Sequence, residues 1–188
     1  MFSSIIMFAQ KDVTKFLGIP VDGSKSEMRK KLEAKGYTYD SRNDVLMGEF
    51  NGRDVYVHIG TNNNKVWRIM ISDRIPCGET DIRIRFNNLC DQFSRNKKYV
   101  AASLKDYTIP ESEDISYESA INNKRYEAAY YQLPDSEVYD AASEEEKSKL
   151  IDNTEKKSVW FMINSRYGRY NIVMYYDNEY NHSDGEDL

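Results

Sequence analysis

Two cysteines, two histidines and four prolines are all that 188 residues hold of those types. Each scarcity excludes something. Cys90 falls in an amphipathic helical stretch and Cys77 just before it. A helical rise of ~1.5 Å per residue carries their Cα atoms past the ~7 Å limit of a disulfide. Cys90 is therefore expected in the core and Cys77 in a loop. Two cysteines and two histidines at these spacings do not make a zinc site, so no metal and no cofactor are expected. No apolar run approaches the ~20 residues that cross a bilayer as a helix. A basic surface is missing too: the net charge is −5, with a pI near 5.2, which argues against nucleic acid as a partner. The cluster Lys25, Arg29, Lys30, Lys31 and Lys35 reads as the solvated face of a helix.

What is present is a globular composition, 40% hydrophobic and 30% charged, long enough for one good core. The stretch Tyr37–Asp73 alternates short strands with turn residues. Val45–Phe50 runs into Asn51-Gly52, whose tolerance of positive φ suits a tight hairpin. Asp54–Gly60 follows, then an asparagine turn at Thr61–Asn64, then Val66–Ser72. Val55, Val57 and Ile59 share one strand face and Asp54, Tyr56 and His58 the other. Trp67, Ile69 and Ile71 alternate with Val66, Arg68 and Met70. Tyr37–Tyr39 is a further short strand candidate.

Helices are marked by their caps. Ser24 and Glu27 form a capping box opening a helix to about Lys35, with Gly36 at the left-handed position beyond it. Ser143 and Glu146 form a second box, for a helix to about Asp152. From about Thr80, Ile82, Phe86, Leu89, Cys90 and Phe93 recur at helical spacing. Asp12–Leu17 is read as a short helix ended by Gly18. Tyr99–Asn123 is the least regular part, a long connection with room for one strand, and the one candidate boundary. Arg125–Leu133, Val159–Asn164 and Arg169–Tyr176 complete the strands. The expected fold is α+β, an antiparallel sheet of about six strands packed by amphipathic helices. Its stripe from Ile82 to Phe93 lies on the sheet. Residues 11–177 form the domain, and 178–188 an acidic tail that frays. Residues 1–10, MFSSIIMFAQ, are apolar and uncharged and end near the small Ala9, in the manner of a signal-peptide remnant. The competing expectation packs Ile5, Ile6 and Phe8 into the fold.

The sequence from Phe16-Leu17-Gly18-Ile19-Pro20-Val21-Asp22-Gly23 through Glu27, Lys31-Leu32 and Gly36-Tyr37, then Phe50-Asn51-Gly52 and Asn62-Asn63-Asn64-Lys65-Val66, resembles a group of uncharacterised exported proteins of Gram-negative gut anaerobes. The resemblance spans roughly residues 11 to 100. It implies export, to the periplasm or outside the cell, and brings no activity. The layout of two short helices before a strand meander also resembles the module of the β-lactamase-inhibitor protein and of small outer-membrane-assembly lipoproteins, whose members bind other proteins.

Chemistry-bearing constellations are sparse. No serine sits in a nucleophile elbow and no glycine-rich loop cradles phosphate. His58 lies on a strand beside Tyr56. The alternative to a binding role is a hydrolase with a carboxylate site, or one centred on His58 with Asp54 or Glu49 if a pocket enclosed it. Asp177, Glu179, Asn181 and Asp184 alternate oxygens like a calcium loop, but His182 stands where that loop needs glycine. The excess is in tyrosine: 15 in the chain, nine of them from Tyr126 to Tyr180. Tyr130, Trp160, Tyr170 and Tyr176 are the expected contact residues of an aromatic sheet face that binds a protein or glycan. In this reading Val159, Phe161 and Ile163 are buried, and Trp160 and Met162 face away from them.

Overall fold

The computed structural model describes residues 12–183. The expected remnant 1–10 and the acidic residues 184–188 lie outside the described part. The fold is α+β. An antiparallel sheet of eight strands, not six, has the order β3-β4-β5-β6-β10-β9-β8-β7. Its strands are β3 (Thr38–Asp40), β4 (Val45–Phe50), β5 (Arg53–Asn62), β6 (Lys65–Asp73), β7 (Tyr99–Ala101), β8 (Glu127–Gln132), β9 (Ser158–Arg166) and β10 (Arg169–Asp177). Pairing of β6 with β10 joins the early meander to the late hairpin in one sheet. Both edges are strands of three residues, short enough to offer little template for another chain. The six expected strands are all present. The two beyond them are β3, foreshadowed at Tyr37–Tyr39, and β7, which falls in the connection Tyr99–Asn123 where one strand is expected.

Three two-residue turns set the hairpins. Asn51-Gly52, Asn63-Asn64 and Tyr167-Gly168 all have positive φ at both positions, the handedness that matches strand twist. The same chemistry overturns the expected helix at Asp12–Leu17. Leu17 and Gly18 have φ of 51° and 77°, so the chain folds back into a small hairpin of β1 (Lys15–Phe16) and β2 (Ile19–Pro20). That turn lets Phe16 and Ile19 both reach the core.

Helix α1 (Lys25–Glu33) carries the full capping box of Ser24 and Glu27, and Gly36 follows at φ 95°. Helix α2 (Glu79–Arg95) buries Ile82, Phe86, Leu89, Cys90 and Phe93. Both pack on one face of the sheet, against Val55, Val57, Ile59, Ile69, Ile71, Phe161 and Ile172 among others. The connection 99–123 is more ordered than its composition suggested. After β7 it forms helix α3 (Ile115–Ile121), capped by Asp114 and held by Glu79, whose carboxylate accepts from the Ile115 and Ser116 amides. Helices α4 (Ser136–Ala141) and α5 (Glu144–Asp152) follow β8, the second opened by the box of Ser143 and Glu146.

The C-terminal segment is docked rather than frayed as far as it is described. Asn178 is fully buried; its amide donates to the Trp67 carbonyl and its side chain to the Val21 carbonyl. Asn181 donates to the Val66 carbonyl and to Asp22. Near the other end of the domain Lys157, 1% exposed, pairs with Asp12. Cys77, expected in a loop, forms an isolated bridge with Tyr170, and Cys90 is buried as expected, its thiol pushed up to about 11 by that burial.

Candidate functional site

Strand parity divides the side chains of the sheet between two faces. The helix-covered face takes the aliphatic residues and, with them, three of the four tyrosine and tryptophan positions expected to bind. Tyr130, Tyr170 and Tyr176 are 2%, 3% and 5% exposed. Tyr130 stacks on Phe93 at 4.6 Å and 17°. Tyr176 lies against Phe16 at 5.1 Å. The Tyr170 hydroxyl meets Ser116 Oγ at 2.6 Å. These rings are core, so the expected four-ring contact face does not form. The reason is that Tyr170 and Tyr176 have the parity of Ile172 and Met174, and α2 covers that parity. Trp160 and Met162 do face away from Val159, Phe161 and Ile163.

The opposite face is half-buried and carries a different aromatic set. The register places Trp160 beside Tyr175 on β10, Tyr175 beside Met70 on β6, and Met70 beside His58 on β5. One row over, Met162, Val173, Ser72 and Tyr56 follow each other across four strands. The Trp160 and Tyr175 rings stack at 4.0 Å with 18° between their planes.

Arg68 organises this face. Its guanidinium lies 4.7 Å from the Tyr175 ring and 4.2 Å from the Trp67 ring. Its Nε and Nη2 donate to Oδ1 and Oδ2 of Asp177, both at 2.6 Å. Asp177 is 2% exposed and also accepts from Trp160 Nε1 at 2.9 Å. A forked arginine–carboxylate pair fixes orientation as well as supplying charge. One buried carboxylate thus sets the rotamers of the arginine and the indole together.

Trp67 reaches this face through an irregularity the alternation could not show. The register shifts between Gly60 and Thr61, so Gly60 pairs with Arg68 but Thr61 with Val66, leaving Trp67 as the extra residue of a β-bulge. Val66 consequently turns into the core at 0% exposure, on the side where strict alternation had put Trp67. A bulge re-aims a side chain in this way. His182 then packs edge-on against Trp67 at 4.6 Å. The polar signals for the site in the sequence were Arg68, alternating with apolar residues on its strand, and Asp177, an acid directly after Tyr175 and Tyr176.

The hydrolase alternative fares differently. His58 is half-buried on the open face and lines neither of the two cavities described, of which the larger borders α2 and the smaller borders α1. Burial lowers its pKa, offset by Asp44. Asp177, one of the suspected calcium oxygens, is taken by Arg68. Among the described residues no group of three His, Cys, Asp or Glu side chains is placed to hold a metal ion, and no helix is long and apolar enough to cross a membrane. Comparison of the chain with family models, with curated proteins and with solved structures gives no match.

Proposed function

We propose that this chain is a non-catalytic binding module that engages a protein partner through the open sheet face built around Arg68, Trp67, Trp160 and Tyr175. The observation carrying this reading is the buried Asp177, which locks Arg68 and Trp160 in place through three hydrogen bonds at the centre of an aromatic surface. Tryptophan, tyrosine and arginine are the residues that dominate interface energetics. Holding them rigid before binding lowers the ordering cost of association. Met70, Met162 and Val173 extend the patch with apolar surface, and methionine adapts to an irregular partner. The Arg68 guanidinium lies 4.7 Å from the Tyr175 ring and 5.6 Å from the Trp160 ring, so one cation contacts both stacked rings.

The test compares captures by wild type, by Trp160→Ala plus Tyr175→Ala, and by Tyr117→Ala, an exposed ring on α3. The sheet-face variant should lose a protein that the other two retain, while its circular dichroism remains that of the folded protein. Equal recovery by all three ends the proposal, and retention on immobilised polysaccharide alone redirects it to a glycan.

The same reading extends to export, resting on the resemblance of residues 11 to 100 and on the apolar start of the chain. Cell fractionation and N-terminal sequencing decide it. Export predicts a periplasmic or secreted product beginning near Lys11. A cytosolic product beginning at Met1 removes it.

A further inference from the structure

A cavity of about 950 Å³ opens between the C-terminal half of α2 and the sheet, on the face opposite the proposed partner surface. Small-molecule sites occupy roughly 300–1,000 Å³ and are mostly apolar with a few placed polar groups. Phe50, Leu89, Phe93, Met174 and Tyr176 form an apolar wall on one side of it, and polar and charged residues make up much of the rest of the lining. Burial and the neighbouring Tyr99 hydroxyl raise the Tyr176 phenol well above its ordinary range, so it stays a neutral hydrogen-bonding group in the wall.

The mouth is charged unevenly. Lys15 on the rim is held by Asp135, and Asp12 by Lys157. Lys97 and Lys98 also line the cavity and have no carboxylate within ion-pair distance among the described residues. Glu49 on β4 is the remaining acid of the lining. The Asn51 side-chain amide donates to Gln92 Oε1 at 2.8 Å, tying the β4–β5 turn to α2 at the mouth. The lysines follow directly on α2, beside the cavity end formed by Asn96 and Tyr99.

An apolar wall with two ammonium groups outside any described ion pair at one end suits one chemistry. We infer that the cavity binds a single-chain amphiphile with an anionic head, the chain against Phe50, Phe93 and Met174 and the head at Lys97 and Lys98. The burial of the tail supplies affinity, and the two lysines select the sign of the head. This site is independent of the sheet-face proposal, because its lining shares no residue with that surface.

Calorimetric titration of the full chain with sub-micellar dodecanoate tests it, with dodecyltrimethylammonium as the same tail under a cationic head. Dodecanoate should bind saturably at one site, about tenfold or more tighter than the cation, a difference of roughly 1.4 kcal/mol. Lys97→Glu plus Lys98→Glu should remove that preference. Gln92→Trp, at an exposed mouth position, should block both ligands while circular dichroism shows the protein still folded. Vesicles of phosphatidylglycerol separate a free amphiphile from a lipid surface: the proposal expects uptake of free dodecanoate and no vesicle adsorption. Absence of saturable binding, equal affinity for both heads, indifference to both variants, or adsorption to vesicles without uptake of free dodecanoate would each overturn it.

Discussion

Asp177→Ala is expected to destabilise the protein by about 3 kcal/mol, the lower end of the roughly 3–5 kcal/mol lost when one partner of a buried ion pair is removed. The lower end applies because the Arg68 side chain keeps 27% of its exposure, against 3% for Asp177. The substitution also strips Trp160 Nε1 of its acceptor, and an orphaned buried donor adds its own penalty. Asp177→Asn keeps a carbonyl acceptor for one donor and should lose less. Urea unfolding followed by tryptophan fluorescence reads both effects, since Trp67 and Trp160 flank the pair. The consequence for function is separable from stability. At temperatures where Asp177→Asn remains folded, its arginine and indole are no longer held together, so partner capture should weaken. A variant as stable as wild type would mean that the fork contributes nothing net, as happens when desolvation cancels attraction.

Phe161→Ala is expected to cost about 3–5 kcal/mol, the range for truncating a buried phenylalanine. Phe161 is fully buried in the centre of the aromatic core. Its ring meets Phe86 edge-on at 5.1 Å, Phe93 at 5.7 Å and Tyr130 at 6.2 Å. These partners come from α2 and from β8, so the cavity left behind has rigid walls that cannot close over it. The denaturation midpoint should fall with little change in slope, the mark of a stability change without a change in compactness. Tyr175→Ala, on the neighbouring strand but on the open face, should barely move that midpoint while still impairing capture. A small loss at Phe161 together with a large one at Tyr175 would invert the assignment of core and open faces.

That contrast shows how far local pattern reached. Period-two alternation correctly sorted Val159, Phe161 and Ile163 from Trp160 and Met162, and the capping boxes at Ser24 and Ser143 marked helix starts that the structure contains. Those features depend on residues within a few positions of each other, which is why they were legible. Alternation says that Tyr170 and Tyr176 share a face. It does not say which face α2 will cover. That depends on strand order, and the neighbours β6 and β10 are segments about a hundred residues apart. The same limit hid the site. Arg68 and Asp177 are 109 positions apart in the chain and meet only because β6 lies beside β10. Trp67 joins them through a bulge at Gly60 and Thr61, a one-residue mismatch between strands that neither strand carries alone.

By itself the sequence determined the α+β class, the three hairpins of the main sheet that close at Asn51-Gly52, Asn63-Asn64 and Tyr167-Gly168, and the apolar stripe of α2, because each is written in short-range spacing and turn chemistry. Only the tertiary structure decided that three of the four expected contact rings belong to the core, and that Arg68, Trp67, Trp160 and Tyr175 share the open face. Side-chain burial is a property of the assembled sheet and its covering helices, and a residue's own strand specifies only which neighbours it sits with.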